Sequence, residues 1–316
     1  MPALRPGPVK SLLRAGFESR LGDSVRYAVA RHHSRGDAAL VANWSNRLGI
    51  AGLNVYGLAE RFDPAQTLFI LGSGESVETF QHNHWDEIAQ HTSIGVNAWP
   101  LHPFVADIYA FEPFDPQSTD YVQLYSDVLH EQRFSEKAPT ILLFRPHSDL
   151  DAKRYSLMPE NLQKDALLYG RIVPQTHVRA NLLRDISIIH RHHRSGGINS
   201  AVVMDLGATI IRMVSLGYLL GYRKIVLAGV DLNGGEYFWQ KNPQHLVDRG
   251  INSFSPGHNR AVHETMTRDV KAFILTEVLE EFQKLFTQAG GSLYIASGES
   301  ALASFLPTYP WRQPEQ

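Results

Sequence analysis

Six short apolar runs without polar alternation constrain this chain more than any other feature. They are Thr67 to Leu71, Ile94 to Val96, Ile108 to Phe111, Thr140 to Phe144, Lys224 to Ala228 and Ser292 to Ala296. Runs of three to five residues without a solvent face suit strands covered on both sides, and longer helical stretches separate several of them. The pattern predicts an α/β fold: a Rossmann-like, doubly wound, mainly parallel sheet forming one nucleotide domain, with a lid or small subdomain. In such a sheet, ligands sit beyond the carboxyl ends of the strands. The stretch 145–200 is less regular and rich in Arg and His, as expected of an insertion or a smaller subdomain.

Composition narrows the chemistry. The 316 residues are 43% apolar, enough for a sizeable core, and 30 Lys and Arg stand against 32 Asp and Glu. A net charge of −2 gives no overall field for nucleic acid. The absence of cysteine excludes disulfides, thiolate metal sites and cysteine nucleophiles. No apolar run approaches the length needed to span a bilayer, so a cytoplasmic protein is expected. Residues 1–60 read as a basic helical N-terminal extension, residues 61–306 as the α/β domain with a lid at about 232–260, and 307–316, with three prolines, as a loose tail.

In the first 35 residues, Arg5, Lys10, Arg14, Arg20, Arg26, Arg31 and Arg35 stand against only Glu18 and Asp23. Leu13, Phe17, Leu21, Val25 and Val29 recur every four residues. Two readings stay open: an amphipathic helix packed on the domain, or one resting on an anionic membrane face at the inner side of the cell membrane.

Candidate chemistry clusters after the strands. Gly72-Ser73-Gly74-Glu75-Ser76 is a glycine-rich turn where a helix would begin, suited to close approach of a phosphate. Its glycine spacing is not the dinucleotide fingerprint, and a plain structural turn is the alternative. Asp231 ends the strand at Val226 and is followed by Asn233-Gly234-Gly235; it suits a ribose hydroxyl, or a backbone-bonded turn. A polar stretch of lid length follows, with Tyr237, Trp239, His245 and His258. His258, in Ser255-Pro256-Gly257-His258-Asn259, fits a general base, with an ordinary surface histidine as alternative. His82 with His84, and His190 with His192 and His193, lack metal-ligand spacing, so no metal site is expected. The second cluster reads as a solvated basic face, or as a contact for phosphate or an acidic sugar. Ser-Gly-Glu-Ser occurs twice, at 73–76 and 297–300, a recurrence that reads as chance.

Taken in order, these segments resemble the bacterial sialyltransferases of glycosyltransferase family 42, which modify lipooligosaccharides. The family's opening Gly-Asn-Gly-Pro-Ser loop is resembled by Gly72 to Ser76, and the asparagine ending its next strand by Asn97. The most specific similarity is Leu219 to Asp231, Leu-Leu-Gly-Tyr-Arg-Lys-Ile-Val-Leu-Ala-Gly-Val-Asp. Gly257-His258-Asn259-Arg260 resembles the end of the family's lid, and Leu293 to Leu306 its closing strand and helix.

The resemblance implies an inverting, metal-independent transferase using a CMP-sugar as donor substrate, with no cofactor, a glycan acceptor and a place in lipopolysaccharide biosynthesis. It implies His258 as base and Tyr237 as a donor to the departing phosphate. Gly72, Ser73, Gly74, Asn97, Thr209, Asp231 and Asn233 would line the nucleotide and sugar site. Asn233 stands where the family has a second tyrosine, and Glu112 where it has an asparagine near the sugar. Expected partners are the nucleotide-sugar and the glycan, peripheral membrane contact through the basic N-terminus, and a second copy of the chain. The order of strands and loops also resembles proteins related to archaeal hydroxymethylpterin diphosphokinase, which implies ATP and magnesium as the alternative. A third reading is a non-catalytic nucleotide-sugar-binding protein.

Overall fold

A computed structural model describes residues 22–111, 127–137, 141–145, 155–156, 158–233, 235–251 and 272–312. Ten strands are present among them: β1 Ala51–Gly52, β2 Thr67–Leu71, β3 Thr92–Val96, β4 Ile108–Phe111, β5 Ile141–Phe144, β6 Leu167–Leu168, β7 Gly170–Ile172, β8 Val202–Met204, β9 Lys224–Ala228 and β10 Ser292–Ile295. Eight form one sheet in the order β1-β6-β5-β4-β3-β2-β9-β10, and every pairing in it is parallel. β7 and β8 pair separately, also in parallel. The α/β, Rossmann-like architecture expected from the apolar runs is therefore what the chain adopts.

Strand order fixes where a ligand belongs. From β2 the chain winds outward through β3, β4, β5 and β6 on one side, while β9 and β10 lie on the other. The winding reverses between β2 and β9, and a crevice opens at the carboxyl ends of strands flanking such a reversal. Gly72 to Ser76 and Gly229 to Asp231 are the segments that leave those two ends.

Side chains on the two sheet faces build two cores. One face, with Leu68, Ile70, Ile94 and Ile225, packs against helices α2 Arg179–Arg194, α3 Thr209–Leu220 and α4 Leu275–Gln288. The other, with Phe69, Tyr109 and Val226, is covered by Trp99, Phe238 and Trp239. Every residue of α3 is buried. A helix with apolar residues on every side cannot face water, so this one is pressed against the sheet. Gly217 permits the approach: a Cβ there would lie 2.5 Å from Leu68 Cδ2 and 2.6 Å from Ile225 Cδ1.

Four expectations need correction. First, the segment read as an N-terminal extension enters the main body from residue 23 onward. Helix α1 (Asp23–Leu48) buries Arg26, Ala30, Ser34, Val41 and Trp44, whereas Val25 is 39% exposed. The buried stripe lies one position beyond the apolar one because the Arg26 guanidinium pairs with Asp185 inside the fold. β1 then joins the sheet edge beside β6. Residues 1–21, with most of the basic pattern, lie outside the described residues.

Second, the stretch 145–200 contributes β6 and β7 to the paired strands, and α2 to the core. Third, His190 and His193 are not on a solvated face. Both are buried; His190 Nδ1 donates to the Ile186 carbonyl at 2.8 Å and Nε2 accepts from Ser215 Oγ at 2.9 Å, while His193 Nε2 donates to the Val202 carbonyl at 2.9 Å. Fourth, residues 307–312 of the expected tail are anchored. Tyr309 N–H donates to the Ile295 carbonyl at 2.7 Å, its hydroxyl donates to Glu87 at 2.9 Å, and Trp311 Nε1 donates to the Ala296 carbonyl at 3.1 Å. Prolines at 307 and 310 suit an edge that forgoes regular pairing.

Candidate functional site

The ends of β2 and β9 are held against each other by backbone bonds. Gly72 N–H donates to the Ala228 carbonyl at 2.7 Å and Gly74 N–H to the Gly229 carbonyl at 2.8 Å. Glycine is required at this contact: a Cβ on Gly72 would lie 2.5 Å from Gly229 O, and one on Gly74 2.3 Å from Asp231 Oδ2. Gly229 also has φ +64°, a region that side chains disfavour.

Asp231 reaches across this contact. Its Oδ2 accepts from Ser76 N–H at 3.0 Å and its Oδ1 from Ser76 Oγ at 2.6 Å. Burial raises its carboxyl above the ordinary aspartate value and the nearby Glu75 and Glu299 carboxylates push the same way, while the two Ser76 bonds oppose them. Sequence reasoning gives Ser76 no role of its own, yet its motif is visible there. The two Ser-Gly-Glu-Ser copies follow β2 and β10, which flank β9, and each ends on a serine that grips the β9 exit. Ser300 Oγ donates to the Val230 carbonyl at 2.7 Å, as Ser76 does to Asp231.

The start of the expected lid is stitched to the same loop. Tyr237 forms an antiparallel bridge with Gly74 and Phe238 N–H donates to the Ser73 carbonyl at 3.1 Å. Tyr237 stacks on Trp239 with ring centroids 4.5 Å apart. Ser73 Oγ is buried and has no hydrogen-bond partner among the described residues. Asn233 is exposed, and its amide donates to the Glu299 carbonyl at 3.0 Å. On the other side of β2, Asn97 leaves β3 with φ +54°, and Thr209 Oγ donates to its Oδ1 at 3.3 Å.

Gly72, Ser73, Gly74, Asp231 and Tyr237 therefore meet at the β2 and β9 ends, while Asn97 and Thr209 meet at the adjoining β3 end. Asn233 is turned to the Glu299 loop. His258 and Glu112 lie outside the described residues.

A titratable cluster that the sequence does not reveal fastens the segment 238–250. Glu78 Oε1 accepts from His245 Nε2 at 2.7 Å and its Oε2 from Asn242 at 2.9 Å. Burial alone would raise the Glu78 carboxyl, but these bonds outweigh it and hold it below the usual value. His102, stacked on Trp99 at 4.4 Å, completes the group, and the three residues bring ligand-type atoms within 4.8 Å of one another. His102 Nδ1 accepts the Phe104 N–H at 3.1 Å, so the neutral ring carries its proton on Nε2 and keeps no spare lone pair for a cation. As arranged, the cluster is a hydrogen-bonded clamp. Glu78→Ala is expected to cost about 1–3 kcal/mol, mostly by stranding His245 and Asn242. Hydrogen exchange should quicken for amides 238–250 and stay unchanged in β2 and β9; equal protection throughout would contradict the clamp.

No family model and no curated protein matches the chain. Among solved structures, it is similar to the sialyltransferase CstII from Campylobacter jejuni in complex with a substrate analogue, cytidine-5'-monophosphate, at 14% identity over 79% of this chain and 88% of that one, with a TM-score of 0.42. A second similar structure is the sialyltransferase CST-II in complex with trisaccharide acceptor and CMP, at 15% identity over 78% and 87%, with a TM-score of 0.42. The fold assignment rests on the strand order and pairing described above.

Proposed function

We propose that this chain is an inverting, metal-independent glycosyltransferase that moves sialic acid or a related sugar from a CMP-sugar to a glycan hydroxyl, without a cofactor. The observation that carries the reading is the meeting of Gly72, Ser73, Gly74, Asp231 and Tyr237 at the reversal of the sheet, with Asn97 and Thr209 at the next strand end. This is where an α/β sheet holds a nucleotide, and it gathers residues that the sequence resemblance implies separately. The buried Ser73 hydroxyl, without a partner among the described residues, suits a ligand hydrogen bond there.

In this reading the catalytic unit is the α/β domain, including α1 and β1, with its lid. His258 takes the proton from the acceptor hydroxyl as that oxygen attacks the anomeric carbon. The bond from that carbon to the phosphate oxygen breaks, and CMP leaves carrying the negative charge. The Tyr237 hydroxyl donates to the departing phosphate, a task that needs a donor placed before charge develops. Asn233 fills the second tyrosine's place in sequence only, since its amide serves the Glu299 loop. The protein works at the cytoplasmic side of a membrane in lipopolysaccharide assembly.

One observation favours the ATP and magnesium alternative: Glu75 and Glu299 lie close enough to Asp231 to raise its carboxyl, a carboxylate grouping suited to a cation. Turnover separates the two. CMP-sialic acid should be consumed by wild type in EDTA, and His258→Ala should lower that rate at least about a hundredfold, the scale of a lost general base. EDTA-sensitive turnover of ATP with none of the CMP-sugar would reject the transferase.

A further inference from the structure

Beneath the β3 end lies a buried chain that the reaction scheme leaves unused. Arg212, one turn into α3, is 2% exposed and pairs through Nη1 with Asp205 Oδ2 at 3.1 Å. Asp205 is itself 2% exposed and is fixed by the Gly207 N–H, which donates to its Oδ1 at 2.7 Å. Arg212 Nη2 donates to Thr209 Oγ at 2.8 Å, and Thr209 Oγ donates to Asn97 Oδ1 at 3.3 Å.

The direction of each bond follows from chemistry. A guanidinium only donates, so the Thr209 oxygen accepts from it and keeps its own proton for a different partner. In the structure that proton goes to Asn97 Oδ1, so the amide presents its carbonyl oxygen to Thr209. An amide is planar, with oxygen and nitrogen at opposite corners, so accepting at Oδ1 fixes where Nδ2 stands. Asn97 Nδ2 has no partner among the described residues, and the residue is half-buried at the mouth of the crevice.

We infer that Arg212 is a positioning residue: acting through Thr209, it locks the Asn97 amide in the orientation that offers two N–H donors to the crevice, selecting a ligand with an acceptor oxygen at that point. Without Arg212, nothing fixes the rotation of the Thr209 hydroxyl, both its lone pairs are open to Asn97 Nδ2, and the amide turns to offer its carbonyl instead. A carbonyl there would repel a phosphate, carboxylate or carbonyl oxygen. The ligand's identity as a nucleotide-sugar rests on the proposed function; the amide's orientation does not.

Two readouts keep these apart. The Asn97 side-chain amide signals are assigned in ¹H–¹⁵N spectra by their loss in Asn97→Asp. Thr209→Val, close to isosteric, and Arg212→Gln should shift or broaden that pair, while Thr209→Ser should leave it as in wild type. Affinity for CMP or CMP-sialic acid should fall about tenfold in Thr209→Val, the scale of one lost hydrogen bond, and be restored in Thr209→Ser. The ligand that weakens locates the acceptor oxygen on the nucleotide or on the sugar. Unchanged Asn97 signals in Thr209→Val would overturn the inference even if Arg212→Gln failed to fold. Wild-type protein that binds neither ligand would reject the proposed function while the amide signals still decide the role of Arg212.

Discussion

Gly229→Ala is expected to destabilise the protein by about 2–5 kcal/mol and to open the crevice at its base. Two costs add. Gly229 sits at φ +64°, where a side chain costs about 1–2 kcal/mol. Its Cβ would also lie 2.5 Å from Gly72 O and 2.8 Å from Val77 Cγ1. The carbonyl is backbone and cannot swing away, so the strand ends must part, an overpacking cost of about 1–3 kcal/mol. Parting them breaks the Gly74 bond to Gly229 and draws Asp231 from Ser76, so nucleotide affinity should fall with stability. The matched control is Gly36→Ala. That position lies inside α1 with nothing within 4 Å of its added Cβ, and alanine there should stabilise by about 0.5–1 kcal/mol. Urea midpoints of the two variants should move in opposite directions. Equal midpoints would show that the β2 and β9 exits are not in contact as described.

Acidification should destabilise the fold from about pH 6.5 downward, well before the carboxylates titrate. Burial holds His190 down to about 3, and holds His102 well below the ordinary imidazole value, aided by the nearby His245 and Arg133. A histidine depressed in the native state takes its proton first in the unfolded chain. Stability is therefore intact above the unfolded value of about 6.5 and declines as pH falls below it. At pH 5, a ring that stays neutral in the native state, as His190 does, costs about 2 kcal/mol, and His102 acts in the same direction. That is a large part of an ordinary domain's stability. Asp185 and Asp231, both raised chiefly by burial, act with the opposite sign, adding stability as pH falls through their raised native values. Chemical unfolding at pH 7 and pH 5 checks the slope, and His190→Gln should make it shallower. A stability independent of pH across this interval would show that these rings are not buried neutral.

Much of the sheet is legible in the sequence because its strands are buried on both faces and so appear as continuous apolar runs. β1, β6, β7 and β8 are not, since two or three residues carry no periodicity. The α1 stripe misleads because the side chains it buries include Arg26 and Ser34, whose bonds run to Asp185 in a distant helix and to the Arg31 carbonyl within α1. His190 and His193 resemble a charged surface because their neighbours Arg191 and Arg194 are basic, and only the helix geometry separates the buried positions from the exposed ones. The glycine-rich turn, Asn97 and Asp231 stand out by following strands. Ser76, Asp205 and Arg212 do not. Arg212 lies in an apolar helix between Ile211 and Met213, and nothing in the local sequence says that an arginine there pairs inward with Asp205 and reaches Thr209. Glu78, His102 and His245 are joined only by tertiary contact.

If the β2 and β9 ends hold a cytidine nucleotide, titrating CMP into ¹⁵N-labelled protein without divalent metal should give saturable binding at one site. The largest shifts should fall at Gly72 to Ser76, Asn97 and Gly229 to Asp231. Absence of CMP binding, with magnesium-dependent binding of ATP at the same amides, would contradict the assignment of this crevice to a CMP-sugar.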